Sequence, residues 1–489
     1  MTPRPERIGE DWLAVIVGLL VFALALGPVA GGDLLGWAAA PKTWIELGKA
    51  VQPASSAYAP LGGVPALLLT FGFTLLLMLL AAAALGADLK RFAASFTVVF
   101  WLAYLCWVAG NFAYIAATTP ADLEKFGIGW SLKLTGESGY LIALLAGLAI
   151  ANFLPGFAAW LREAARPELF IKIAIVILGG TLGIKAAEQI DLASSVMFRG
   201  FAAIVEAYLI YWAVVYWVSR KWFGFSREWA APLASGISIC GVSAAIATAA
   251  AIRARPIVAV MVSSLVVVFA MAELLILPFV AAKFLWHEPM VAAAWMGLAV
   301  KTDGAAVASG AITESLVLAE AAARGTSYEK GWMLGATTTV KIFIDIFIGV
   351  WAFILAFIWT RYIEPRKKGD ELRGAEIWER FPKFVLGFLA TFFIVFLIAL
   401  ASEAHVRPLA EAMKEANVFR QLFFLLTFFT IGLLADLRKL WQEGIGKLAA
   451  VYVVCLFGFV IWVGLVISWI FFQGVYPPVT VLPSLSRLM

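Results

Sequence analysis

Ser235-Gly236-Ile237-Ser238-Ile239-Cys240-Gly241-Val242-Ser243-Ala244-Ala245-Ile246-Ala247-Thr248 lies between Pro232 and Pro256 inside a long apolar run. Glycine is less favourable than alanine in a helix by about 1 kcal/mol. Gly236 and Gly241, flanking a turn that carries a hydroxyl and a thiol, therefore predict a helix that breaks and resumes. At membrane depth, broken backbone is tolerated only where protein or a watery cavity satisfies it. The resumed helix aims free N–H groups and the positive end of its dipole at that cavity. Ser238, Cys240, Ser243 and Thr248 line the same stretch, the hydroxyls as donors. The chemistry is that of an anion cradle. Close helix packing through small residues would leave the same composition.

A second interrupted stretch runs Gly297-Leu298-Ala299-Val300-Lys301-Thr302-Asp303-Gly304-Ala305-Ala306-Val307-Ala308-Ser309-Gly310. An ionisable residue inside a membrane segment is a functional candidate by default. Lys301 would hold an anion, with Thr302 beside it and Gly304 allowing close approach. Asp303 would neutralise Lys301 when the site is empty, or pair with it permanently. The following segment carries Thr337-Thr338-Thr339-Val340-Lys341 and then Asp345. Thr338 and Lys341 are three apart and Lys341 and Asp345 four apart, so each pair shares a helix face. These residues would line or gate the cavity; a local salt bridge fits equally. Glu206, Glu273 and Glu314 also fall inside spans. Glu206 or Glu273 would carry a coupling proton, or serve as a hydrogen-bonded structural acid.

Composition sets these stretches in a membrane. Of 489 residues, 63% are hydrophobic and 14% charged, and the mean hydropathy is +0.93. A soluble protein carries roughly 25% charged residues. The figures exclude a soluble fold, a disordered chain and a nucleic-acid-binding tail. The net charge of +5 comes from short basic clusters between apolar runs, the usual place of cytoplasmic loops. Three cysteines and two histidines in no ligand spacing argue against a zinc, haem or iron–sulfur centre and against a cofactor, while ions bound by carboxylates stay open. The sequence also lacks a phosphate-binding Gly-Lys loop, a His-Glu-x-x-His helix and a Gly-x-Ser-x-Gly elbow. An enzyme is therefore not expected. Trp12, Trp222, Trp286, Trp332 and Trp441 near segment ends suit interfacial belts.

About thirteen spans are expected, near 12–31, 62–86, 93–118, 139–160, 168–187, 199–218, 232–252, 256–280, 290–318, 332–360, 383–401, 421–436 and 447–472. The fold class is all-α and polytopic, with glycine-interrupted helices. The first run exceeds a signal-peptide core of about 7–15 residues and is read as a helix that stays. Basic-residue counting puts the N-terminus in the cytoplasm, with Arg4, Arg7, Arg162, Arg166 and the loop at 361–383 on that side. Leu178-Gly179-Gly180-Thr181-Leu182-Gly183 and Thr430-Ile431-Gly432-Leu433-Leu434-Ala435-Asp436-Leu437 echo each other at helix ends of opposite sidedness. An inverted repeat would produce that pattern, as would chance. Residues 1–130 form additional N-terminal helices, 131–472 a transporter core and 473–489 a tail.

The string Gly236-Ile237-Ser238-Ile239-Cys240-Gly241 resembles the glycine–serine–isoleucine–cysteine–glycine signature of a sulfate exporter family of bacterial inner-membrane proteins. Gly297 to Gly310, Val340-Lys341 and Phe429 to Leu437 resemble that family's later segments in order, over roughly residues 140–472. The chain is divergent: Lys301 stands where the family often has His, and Ile344 where it has Arg. The resemblance implies a secondary transporter with crossed, broken helices. The expectation is a carrier exporting a small anion, a sulfate-like oxyanion or an organosulfonate, by alternating access. The alternatives are a cation-coupled antiporter using Asp303, Asp345 and Glu206, and an ion channel. The expected partners are the anion, the lipid bilayer, H⁺ or Na⁺, and a second copy in a homodimer; nucleic acid is not among them.

Overall fold

The structure is a computed structural model that describes residues 9–117, 120–132, 138–363, 382–435 and 446–480. Most of the expected 361–383 loop, the end of the tail, Arg4, Arg7, Asp436 and Leu437 lie outside the described residues. Helices run in the order α1 Glu10–Ala25, α2 Gly63–Ala84, α3 Leu89–Gly110, α4 Ser138–Phe153, α5 Pro167–Glu188 and α6 Ile190–Lys221. They continue as α7 Arg227–Ser238, α8 Val242–Ala251, α9 Pro256–Phe284, α10 Pro289–Ala299 and α11 Asp303–Ala323. The last are α12 Trp332–Ile363, α13 Phe384–Ala401, α14 Glu403–Leu434 and α15 Gly446–Phe472. Pro at the first position opens α5, α9 and α10, where its missing N–H costs no hydrogen bond. Among the described residues, ten helices are long and apolar enough to cross a membrane, and α4, α8 and α10 are shorter apolar helices. The sole described sheet is a two-stranded antiparallel ribbon pairing Ala39–Pro41 with Val51–Pro53.

The expected runs 232–252 and 290–318 are each two helices. Chain direction breaks between Ser238 and Val242, and again between Ala299 and Asp303. Two other runs are longer than expected, because α6 begins at Ile190 and α14 at Glu403.

The chain divides into two compact units. The first comprises Met1–Ala193, Leu318–Ser327 and Lys383–Asp436. There α5 packs against α1, α13 and α14, and α14 against α4. Glycines set these approaches. A Cβ at Gly147 would collide with the Phe429 carbonyl, and one at Gly432 with the Leu144 carbonyl. Gly179 and Gly183 likewise face carbonyls of Phe388 and Phe392. The echoing glycine strings are thus seats for close helix crossing. At one end of the unit, Lys172 Nζ pairs with Asp11 Oδ1 at 2.9 Å and Arg166 with Glu10 at 3.3 Å. The Lys383 N–H donates to Asp11 Oδ2 at 3.1 Å. The starts of α1, α5 and α13 therefore share one end of this unit.

The second unit comprises Ser194–Val317, Tyr328–Pro382 and Leu437–Met489. In it α8 packs on α7, α9 and α12, and α10 on α12 and α15. Both helix breaks fall in this unit.

Candidate functional site

The first break is made by Ile239, Cys240 and Gly241. Ile239 leaves the helix at φ −103°, ψ −98°, and Gly241 turns the chain at φ +71°, ψ −112°. The positive φ demands glycine. So does space: a Cβ there would lie 2.6 Å from Val266 Cγ1 and 3.0 Å from Thr302 Cγ2. Thr302 belongs to the second break, so the two interruptions abut. Gly236 sits within α7, where its Cβ position faces Val262 and Val266 at 3.1 and 3.2 Å. It permits packing, and Gly241 alone shapes the turn.

The second break is Val300, Lys301 and Thr302. Thr302 Oγ1 accepts the Ala305 N–H at 3.1 Å, and Asp303 is the first residue of α11. A capping hydroxyl and a carboxylate at a helix start satisfy its free N–H groups and its positive end.

Lys341, on α12, ties the breaks together. Its Nζ donates to the carbonyl of Ile239 at 2.9 Å and to that of Lys301 at 2.8 Å. The Ile239 carbonyl lies at the C-terminal end of α7, where the helix dipole presents negative charge, and the Lys301 carbonyl in the second break. The same ammonium lies 3.7 Å from Asp303 Oδ1. One ligand atom each from Cys240, Asp303 and Asp345 fall within 4.8 Å of one another, and all three residues are buried. Two carboxylates and a thiol suit a cation of intermediate softness; the Lys341 ammonium already brings one positive charge to them. Tyr208 lies beside this group and donates to the Ile344 carbonyl at 2.5 Å.

Lys301 faces a different set of groups. Its side chain is fully buried, donates to the Leu298 carbonyl and stands 4.4 Å from the centre of the Tyr211 ring. Its backbone N–H donates to Glu273 Oε2 at 3.1 Å. Glu206 and Tyr211 delimit a π-helical segment of α6. Its i→i+5 bonding brings residues five apart together. The Tyr211 hydroxyl lies beside the Glu206 carboxyl and donates to the Val460 carbonyl at 2.8 Å.

The remaining sequence candidates are placed as follows. Ser238 ends α7 with its hydroxyl buried and without a hydrogen-bond partner. Ser243 is half-buried and Gly304 buried near the starts of α8 and α11. Thr248 lies two turns along α8, donating to Ser235 Oγ at 2.7 Å, which also accepts from Trp212 Nε1 at 2.9 Å. Thr338 bonds back to Leu334 within its own helix at 2.7 Å. These two threonine hydroxyls are spent on structure. Glu314 caps the start of α12, accepting from Gly331 N at 2.6 Å and Met333 N at 3.1 Å. Lys341 bonds across to both breaks, and its ion pair is with Asp303. Tyr208, Tyr211 and the Ile239 carbonyl escaped the sequence reading. The Tyr208–Tyr211 spacing after Glu206 was the one available signal, and α-helical geometry would have sent Glu206 and Tyr211 to different faces.

A family model described as Conserved hypothetical protein 698 matches residues 128–451. A UPF0324 membrane protein of Nitrosomonas europaea is 42% identical over 475 residues, 96% of this chain and 97% of the relative. The chain belongs to this family. That alignment takes in the N-terminal helices and both breaks. A second UPF0324 membrane protein, from Rhodopirellula baltica, is 29% identical over 80% of this chain and 65% of its own length. One from Nitratidesulfovibrio vulgaris is 28% identical over 81% and 62%. No solved structure matches the chain. The chain is thus a polytopic membrane protein of the UPF0324 family, the coarser level at which the resemblance drawn from the motifs holds.

Proposed function

We propose that the chain is a cation-coupled secondary transporter of a bacterial inner membrane, with its N-terminus in the cytoplasm. The observation that carries this is the charge at the two breaks. Four carboxylates, Glu206, Glu273, Asp303 and Asp345, face two lysines, Lys301 and Lys341, all at most 3% exposed. Buried charges of one sign in excess are costly unless a counter-ion joins them. A coupling cation, H⁺ or Na⁺, meets that need at Asp303 and Asp345. Helix ends meeting in the middle of a broken pair are the usual place for such ions in carriers that work by alternating access.

A second reading adds a small anion, sulfate-like or an organosulfonate, as the cargo. The buried Ser238 hydroxyl without a partner, next to the start of α8, favours it, and Lys301 would supply the charge. The test is flux into proteoliposomes under imposed Na⁺ or pH gradients, with and without sulfate, thiosulfate, sulfonates or carboxylates inside. Cation-driven flux lost in Asp303→Asn supports the proposal. Flux that also requires one anion class, and fails in Lys301→Ala, supports the second reading. Conductance at channel rates, or flux indifferent to both gradients, overturns the first.

A further inference from the structure

Resting on the cation-coupled reading above, we propose that the Lys341 ammonium is the resident occupant of a monovalent-cation site at the two breaks, and that the coupling cation enters by displacing it. The ammonium sits among the ligands a metal ion would take. They are the carbonyl oxygens of Ile239 at 2.9 Å and Lys301 at 2.8 Å, and Asp303 Oδ1 at 3.7 Å. Both carbonyls belong to the breaks, and unwound carbonyls at broken helices are the usual ligands of Na⁺ in carriers. An Asp345 carboxylate oxygen and the Cys240 sulfur lie within 4.8 Å of the Asp303 carboxylate and of each other. All these side chains are buried. With two carbonyls added to two carboxylates, oxygen outnumbers the one sulfur, and oxygen donors suit a hard cation.

The geometry also shows why the ammonium can leave. A charge-assisted bond from nitrogen to a carboxylate runs about 2.7–2.9 Å. At 3.7 Å, Asp303 is a loose partner, while the short bonds go to neutral carbonyls. The ammonium is tethered to α12 and its donors are directional. A free cation has neither restriction, so it can keep the carbonyls and still be drawn closer to Asp303. One positive charge replaces another, and the buried site is spared the cost of a new net charge. A lysine stem is flexible over four carbons, which lets the ammonium swing aside. Asp345, four residues further along α12, lies on the face where the displaced ammonium can be received.

The experiment is thermal unfolding of the detergent-purified full chain in NaCl, with choline chloride replacing it at constant ionic strength. A cation that binds the folded state raises the melting temperature by mass action. Lys341→Met should melt lower than native protein in choline, and Na⁺ should restore it. Its half-maximal Na⁺ concentration should be lower than the native one by about tenfold or more, because no tethered charge holds the site. Lys341→Met combined with Asp303→Asn should lose the response. A response in Lys341→Met no stronger than in native protein overturns the displacement. So does a native response that vanishes in Lys341→Met, which would make the lysine a part of the site and leave the transport reading standing. If Na⁺ stabilises neither protein, the displacement falls, and gradient-driven flux decides the transport reading separately. Should Lys341→Met not fold in choline, Lys341→Gln, which keeps a donor for one carbonyl, is measured in its place.

Discussion

The ammonium of Lys341 donates to the main-chain carbonyl of Lys301 at 2.8 Å, and the same nitrogen reaches Ile239 at 2.9 Å. One side chain thereby satisfies the broken backbone of two helices. An unsatisfied buried carbonyl is costly, so the breaks depend on this lysine as much as on their glycine.

Lys341→Met removes both bonds and leaves Asp303 without its 3.7 Å partner. Breaking a buried ion pair from one side costs about 3–5 kcal/mol. The variant should melt well below the native protein in the same detergent. Adding Asp303→Asn removes the carboxylate's charge and should return part of the loss. Equal stability of Lys341→Met and native protein would remove the brace from the argument.

Gly241→Ala meets a positive φ and a wall of side chains 2.6–3.0 Å away. The conformation alone costs about 1–2 kcal/mol, and overpacking adds about 1–3 kcal/mol. Gly236→Ala, with its nearest neighbour at 3.1 Å, should be milder. Thermal denaturation of the two variants side by side checks the order.

Gly432→Leu should separate α4 from α14, since even a Cβ at that position meets the Leu144 carbonyl. The expected result is loss of folded protein in gel filtration. Gly446→Ala, where nothing lies within 4 Å, serves as the tolerant control.

Glu228 accepts from the Arg255 N–H at 2.8 Å and from its Nε at 3.0 Å. These bonds, the side-chain one foremost, hold its carboxyl below the usual glutamate range. A depressed acid stabilises the fold above its unfolded pKa of about 4.3 and stops doing so as pH falls through the folded value. Glu228→Gln should therefore lower the melting temperature slightly at neutral pH, and the difference should shrink as pH falls below about 4. The pair is largely exposed, and added salt should shrink the difference.

Much of the fold could be read locally. Apolar runs announced the spans. Gly241 marked a break because a turn at membrane depth leaves few other residues a place. Lys301, Asp303, Lys341, Glu206 and Glu273 stood out because charge is rare in such sequence. The reading went astray where a residue's task lies with a distant partner. Thr248 looked like a donor for a ligand, yet its hydroxyl is engaged by Ser235. Glu314 stood out as an ionisable residue within a span and caps a helix.

By itself, the sequence determined that this is a helical membrane protein with two interrupted helices and ionisable residues inside them. Hydropathy, glycine and proline act over a few neighbouring residues, so their consequences can be read along the chain. Tertiary structure alone decided the partners: Lys341 is 102 positions from Ile239 and 40 from Lys301, and Glu273 is 28 from the N–H it accepts. A buried charge must find a counter-charge or a dipole somewhere, but which one it finds depends on how distant helices cross, and periodicity carries no record of that.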